Sequence, residues 1–485
     1  MFKKVFACVM AAVMLICAFS VNSFASVLPD YTMTDSEWEQ YWDETKADNT
    51  KISLTPGADE SELNFNWHSE TKLGVPKVRI SQSPEMSDYS EFCGYATPAE
   101  KGFQTNRVTV TGLEENTVYY YSYALGRGDF SEPVIYRTLS KSSFKALYVG
   151  DIQCGAGDDG YATSDAANWN KLLSTALKDN DDISFILSCG DQTQNGNNAL
   201  EWAGTLSPKA LRSIPMATTV GNHDKKGYNY QFYVNNPNSY YGTTPSPVGR
   251  GYYFRYGDVL FISLNSTQYN VFDHYNLVEQ AVAENTDAKW RVIFMHHDIY
   301  GTGHHARSDE SLLMQAAYSA MCDKFDIDVM LTGHEHFYGR SYFMYDNEIV
   351  DMDYSTHTVT NPEGTLYLTS SSASGKNRYY DDYVKNSDWV CFDYMTEGMI
   401  YSTVEFTDTT FNVSTFDLDN NLIDTYTIVK TEPFSENAEE DTNLLCDTNA
   451  VDRILRNFTG EYYVIFEVIY KIVDVFKNLL SVIIK

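Results

Sequence analysis

The hydrophobic rhythm of the chain changes near residue 140. From 55 to 140, apolar and polar positions alternate in short runs. Leu63, Phe65 and Trp67 alternate with Asn64 and Asn66, the period of two that predicts a half-buried strand. Runs at 77–81, 107–111, 117–124 and 134–139 are separated by turn residues at intervals suited to a β-sandwich. This domain carries no cluster of ligand-type residues and reads as a scaffold or spacer.

From 141 the rhythm lengthens. Apolar runs at 144–149, 183–188, 214–220, 259–264, 292–295 and 327–331 alternate with helical patterns at 164–179, 273–285 and 308–325, as in layered α/β proteins. Ser164 is the expected cap of the first helix. Ser308, with Asp309 and Glu310 behind it, is that of the third. Strands return at 365–370 and 399–407, and a hairpin is expected around the Asp-Asn-Asn turn at 419–421. This second domain spans 141–430.

The two ends differ from both domains. Residues 1–25 have the charged start (Lys3, Lys4), the apolar segment and the small residues before a cleavage point that mark a secretory signal. The expectation is a secreted, extracellular protein, with cell-surface association as the variant reading, a polar lead-in at 26–54 and a short helix near 36–46. An acidic linker is expected at 431–450. At 451–485, Ile465, Ile469, Ile472, Val473, Phe476 and Leu480 recur at helical spacing, interrupted by Glu467, Lys471, Asp474 and Lys477. That pattern is an amphipathic helix and not a span. It fits self-association or contact with a membrane or wall surface.

Composition narrows the function. With 485 residues, 43% of them hydrophobic, the chain has material for two or three domains. Its 66 acidic against 35 basic residues give a net charge of −31, which repels nucleic-acid backbone and argues against nucleic-acid binding. None of the eight cysteines stands in a Cys-x-x-Cys pair, which excludes a zinc ribbon. Export permits disulfides, but Cys189, Cys322 and Cys391 lie in or beside apolar runs and no pairing is assigned.

The informative feature is where the α/β strands end. Five of the six apolar runs pass into Gly150-Asp151-Ile152-Gln153, Gly190-Asp191, Gly221-Asn222-His223-Asp224, His296-His297 and Gly333-His334-Glu335-His336. The carboxyl ends of such strands line the ligand crevice. Carboxylate, amide and imidazole donors without thiolate suit Mn, Fe or Zn. There are too many donors for one tetrahedral site, and two ions bridged by one carboxylate would use them all.

In order, Gly-Asp-x-Gln, Gly-Asp, Gly-Asn-His-Asp, Met-His-His and Gly-His-Glu-His resemble the motifs of the calcineurin-like metallophosphoesterase superfamily. The extension from His336 to Ser341 resembles its purple acid phosphatase branch. So does a fibronectin type III-like sandwich placed in front, whose strand entry resembles Leu113 to Tyr123. The resemblance implies an α/β fold, a four-layer α-β-β-α sandwich preceded by an all-β sandwich, with a two-metal centre of Fe, Mn or Zn. Carried over by position, Asp151 and His336 would bind the first metal and Asp191 would bridge. Asn222, His296 and His334 would bind the second. His223 would serve the leaving group.

Two positions depart from the pattern. Gln194 stands where the purple enzymes have a metal-binding Tyr. Gln153 stands where other branches have a His ligand, and its amide oxygen is expected to serve in that place. His297, His304 and Arg307 are candidates for contact with substrate phosphate, joined by His305. Asp224 and Arg340 are candidates to orient His223 or the rim. The function implied is a secreted, acid phosphatase-like hydrolase of small phosphomonoesters, in which two cations activate a water for in-line attack. A phosphodiesterase or nucleotidase is the alternative on the same site. A catalytically inactive surface binding protein is the alternative from another class.

Overall fold

Two β-sheets of four strands each form the first half of the molecule. The protein is described here by a computed structural model, for residues 28–431 apart from 49, 70–73, 127, 158–161, 269, 304 and 376–387. The expected signal, the linker beyond Thr431 and the C-terminal helix lie outside the described residues. Before the sandwich comes the helix Asp35–Thr45, opened by a capping box in which Thr34 and Glu37 satisfy each other.

One sandwich sheet has the order Ser53–Pro56, Leu63–Ser69, Gln104–Val110 and Tyr95–Pro98; the other, Ser90–Cys93, Lys77–Ser81, Val118–Tyr123 and Val134–Arg137. All pairings are antiparallel. Phe65, Trp67, Val78, Val108 and Tyr121 fill the space between them. The expectation of a half-buried strand at 63–67 needs correction, because every residue of Leu63–Ser69 is buried. Its polar face is covered by a segment of the second domain. Asn66 donates to the Val234 carbonyl at 3.1 Å, Thr105 to Phe232 at 2.8 Å and Ser53 to Tyr233 at 2.6 Å. Polar residues at the outward positions therefore mark an interface between domains.

The second half is two larger sheets face to face. One has the order Met216–Thr218, Ile183–Ser188, Ser143–Val149, Ile400–Thr407, Thr410–Asp417, Leu422–Val429 and Thr358–Thr360. The other runs Tyr252–Tyr256, Val259–Ser263, Trp290–Phe294, Val329–Thr332, Thr365–Thr369, Tyr338–Tyr345 and Glu348–Ile349, with Val390–Tyr394 also paired to Tyr338–Tyr345. Alternation divides the strands between layers. Tyr148, Leu187, Val292, Phe294, Leu331 and Leu368 point between the sheets. Ile293, Met295, Met330 and Tyr367 point outward to Leu277, Val278, Met314 and Tyr318 of the helices Val271–Glu284 and Asp309–Lys324. On the opposite flank the helix Thr163–Asp179 buries Ala166, Trp169, Leu172, Leu173 and Ala176 and packs by Ile400–Thr407. The result is the four-layer α-β-β-α order.

The second helix begins at Val271, two residues before the expected 273, and one expected cap fails. Ser308 caps its helix, accepting from the Ser311 N–H at 3.1 Å. Ser164 does not. That helix begins at Thr163 behind Ala162, in the left-handed region at φ 63° with no side-chain cap. The nearby Asp165 carboxylate instead accepts the Gly155 and Gly157 N–H groups, each at 2.9 Å. Cys93, Cys154, Cys189, Cys322 and Cys391 are free thiols.

Candidate metal centre

Parallel pairing within each of the two facing sheets brings the functional strand ends together. Val149 is in register with Ser188, Ser188 with Thr218, and Phe294 with Leu331, so the turns that follow emerge together. Asp151, Gln153, Asp191, His334 and His336 all have positive φ, at 52°, 42°, 49°, 75° and 60°. Side chains rarely adopt this region, at a cost of roughly 1–3 kcal/mol each. Short main-chain bonds hold it: Gln153 N–H to the Asp191 carbonyl at 2.7 Å, Asp151 N–H to Gly190 at 3.1 Å, and His334 N–H to Asp151 Oδ2 at 2.8 Å. Glycine is required beside them. A Cβ on Gly221 would lie 2.0 Å from Asp191 Oδ1, and one on Gly190 2.5 Å from His296 Nδ1.

The donors converge. One ligand atom from each of Asp151, Asp191 and His296 lies within 4.8 Å of the others. His296 Nε2 is 2.8 Å from Asn222 Oδ1, 3.2 Å from His334 Nδ1 and 3.4 Å from Asp191 Oδ2. His336 Nε2 is 3.3 Å from Asp151 Oδ1. His296 Nδ1 is held by the Cys189 carbonyl at 2.9 Å, which directs Nε2 into the cluster.

Electrostatics match this crowding. Burial raises the Asp191 pKa, but the His296 imidazole outweighs it and holds the carboxyl at about 2. Burial lowers His296, yet Asp191 and Asp151 lift it to about 9. Burial, then the neighbouring imidazoles, press His334 well below the usual range. Asp151 Oδ1 and Gln153 Oε1 are buried with no hydrogen-bond donor. Inward acceptors without donors fit cations.

The other expected residues fall in several places. His223 is half-buried. Its Nε2 lies 3.9 Å from Asp191 Oδ2, and its Nδ1 3.1 Å from the Gln194 carbonyl and 2.6 Å from Lys226 Nζ. It stands beside the donors, not among them. His297 is buried, hydrogen-bonded through Nδ1 to Ser266 Oγ at 2.9 Å, with its ring 4.8 Å from that of His334. It backs the cluster. His304 lies outside the described residues. The Arg307 guanidinium sits over the Trp389 ring at 5.1 Å. The His305 ring is 4.6 Å from that of His334.

Asp224 is a turn anchor. Its carboxylate accepts the N–H groups of Gly221, Gln192 and Thr193 at 3.0–3.1 Å. Arg340 is not at the rim: it forms a buried two-bond pair with Asp424, at 2.8 and 3.1 Å.

Two buried carboxylates that follow the strands, Asp298 and Glu335, have no role assigned from sequence. Asp298 accepts from Thr369 Oγ1 at 2.7 Å, and burial with the nearby Glu335 carboxylate pushes it up to about 7. Glu335 Oε2 lies 3.5 Å from His305 Nδ1. Gly301 and Gly303 lie directly on them, since a Cβ there would come within 1.4 Å of Asp298 Oδ2 and 1.3 Å of Glu335 Oε2. The Gly-Thr-Gly spacing at 301–303, just after His296-His297, was the available signal.

Fold and site together resemble those of metallophosphoesterases. Residues 144–338 match the calcineurin-like phosphoesterase family. Residues 49–138 match the purple acid phosphatase N-terminal domain. Phosphoenolpyruvate phosphatase of Allium cepa is 23% identical over 312 residues, covering 60% of this chain and 63% of that protein. Purple acid phosphatase 1 of Ipomoea batatas is 26% identical over 251 residues, covering 48% and 51%. The chain thus spans between about half and under two thirds of the length of these relatives. Purple acid phosphatase PPD1 from yellow lupin seeds (Lupinus luteus) superposes with a TM-score of 0.64 at 16% identity, over 79% of this chain and 75% of that one. PhoD superposes at 0.54 and 12%, over 79% and 94%. These two share the fold.

Proposed function

We propose that the protein is a secreted phosphatase that hydrolyses small phosphomonoesters at a two-metal centre. The observation that carries the reading is the convergence of Asp151, Asp191, Asn222, His296, His334 and His336 beyond the carboxyl ends of strands from both facing sheets, with donor atoms facing one another at 2.8–3.4 Å. Asp151, Gln153 and His336 would hold one ion, Asn222, His296 and His334 the other, with Asp191 between them. Two such ions supply Lewis acidity and activation of water near neutral pH.

The chain's own groups do the rest. Asp224 fixes the turn that carries Asn222 and His223. His223, tethered through Nδ1, keeps Nε2 on the open side of Asp191 to donate a proton to the departing alkoxide. Since every metal position bears a donor, an inactive binding role is disfavoured. The residues at 1–25 support export.

A hydrolysis panel with and without chelator tests the reading. It should include an aryl phosphate, a bis-aryl phosphate, a nucleoside monophosphate and phosphoenolpyruvate, the compound named in the onion relative. Chelator-sensitive hydrolysis of the monoesters is expected; a protein that holds two ions and cleaves none of them refutes it. His223→Ala should lose about 10²–10⁴ in kcat while keeping its metal.

A further inference from the structure

The two positions that depart from the purple acid phosphatase pattern touch each other. Gln153 Nε2 donates to Gln194 Oε1 at 2.9 Å. A primary amide has one accepting end and one donating end, so this bond decides which end of Gln153 is left for anything else. It is Oε1. Gln153 is 3% exposed, and no donor reaches that oxygen. Its backbone is fixed too, held by the Asp191 carbonyl at 2.7 Å with φ at 42°. Asp151 Oδ1, two residues back, is likewise buried without a donor. A buried acceptor left alone is destabilising, and a cation removes that penalty.

We infer that Gln153 Oε1 is a ligand of the first cation, and that Gln194 is a positioning residue that locks the amide with its oxygen inward. The inference rests on the two-metal reading above. It also bears on the kind of ion. A phenolate at 194 would add a negative charge to the site. Here that position holds a neutral amide whose carbonyl is turned to Gln153. The first ion then faces the charge of Asp151 and a share of Asp191, with neutral partners besides. Such a donor set suits a divalent ion better than a trivalent one. Gln194 has a second attachment: its backbone carbonyl lies 3.1 Å from His223 Nδ1. One residue thus orients a metal ligand through its side chain and the leaving-group histidine through its main chain.

The test reads metal binding directly. Chelator-stripped full chain is titrated with Mn²⁺ and Zn²⁺ by calorimetry, and bound ions are counted by elemental analysis. Wild type is compared with Gln153→Ala, Gln194→Leu and Gln194→Glu. Leu removes the acceptor that faces Gln153 Nε2, whereas Glu keeps it. Two ions are expected in wild type. One site should weaken by about 10–100-fold in Gln194→Leu, and at least as much in Gln153→Ala. Gln194→Glu should bind both ions at least as tightly as wild type. Wild-type affinity in both Gln153→Ala and Gln194→Leu would overturn the inference. If Gln194→Leu does not fold, Gln153→Ala and Gln194→Glu decide it alone. The two readings fail separately. Two ions with Gln153-dependent affinity but no hydrolysis would sink the phosphatase and leave this inference standing. Hydrolysis with Gln153-independent affinity would do the reverse.

Discussion

Asp191 is crowded by design of its neighbours. The His223 N–H donates to its Oδ1 at 2.8 Å, while Gly221 passes so close that a Cβ there would stand 2.0 Å from the same oxygen and 2.2 Å from the Asp191 nitrogen. Neither contact can yield without moving the carboxylate. Gly221→Ala is therefore expected to cost on the order of 3–5 kcal/mol and to purify with less metal than wild type. Elemental analysis beside a thermal melt checks both; unchanged metal content and midpoint would show that the turn can relax. The same crowding explains what the sequence could show here. Glycine before Asp151, Asp191, Asn222 and His334 announced close approach. It could not show that Gln153 and Gln194, forty-one residues apart, would share a hydrogen bond, because no local pattern encodes it.

Among the elements, the helix Val271–Glu284 holds a buried titratable group. His274 is 5% exposed, and its Nδ1 lies 2.8 Å from the Tyr318 hydroxyl of the helix Asp309–Lys324. Burial depresses its pKa to about 4, against the opposing pull of Asp273. The unfolded chain therefore takes up a proton near pH 6.5 while the folded chain stays neutral until about 4. The stabilisation is fully present above pH 6.5 and is lost as pH falls towards 4, a swing of about 3 kcal/mol. His274→Gln should flatten the dependence of the denaturation midpoint on pH across that window; an equal slope in both proteins would refute it. Helices and strands were largely legible at this scale, since 77–81 and 183–188 are strands at those bounds. Ile214 to Val220 was not. Only Met216–Thr218 pairs, because the run lies at a sheet edge where apolar residues are buried without a second partner strand. The helix start at Thr163 escaped for a different reason: Asp165 is turned to the 155–157 loop, a tertiary contact that overrides local capping.

At the scale of the molecule, the front sandwich is a buttress. Its strands Leu63–Ser69 and Gln104–Val110 bond to residues 231–234, which begin seven residues after Asp224. Asn66→Leu would take from the Val234 carbonyl one of its two donors at a buried interface, leaving Arg107 Nε, at about 0.5–1.5 kcal/mol. A lowered thermal midpoint with wild-type metal content is the expected outcome; a fall in metal content as well would show that the interface reaches the site. Removing residues 28–140 should leave the second half insoluble, since it uncovers this face all at once; a soluble, cooperatively melting fragment would contradict that. The interface was invisible in sequence because Asn64 and Asn66 look alike whether water or another domain covers them.

In that interface Ser53, Asn66, Thr105 and Arg107 all address main-chain carbonyls, those of Gln231, Phe232, Tyr233 and Val234. A surface read through its backbone does not depend on which side chains it carries. Substitutions at 231, 232 and 234 should thus be tolerated better than at Tyr233, whose buried ring stacks on Trp202 at 4.4 Å, whereas inserting or deleting one residue there shifts every carbonyl out of reach together. A library of both kinds of change, sorted for folded protein, would show this stretch more permissive to drift in identity than to drift in length.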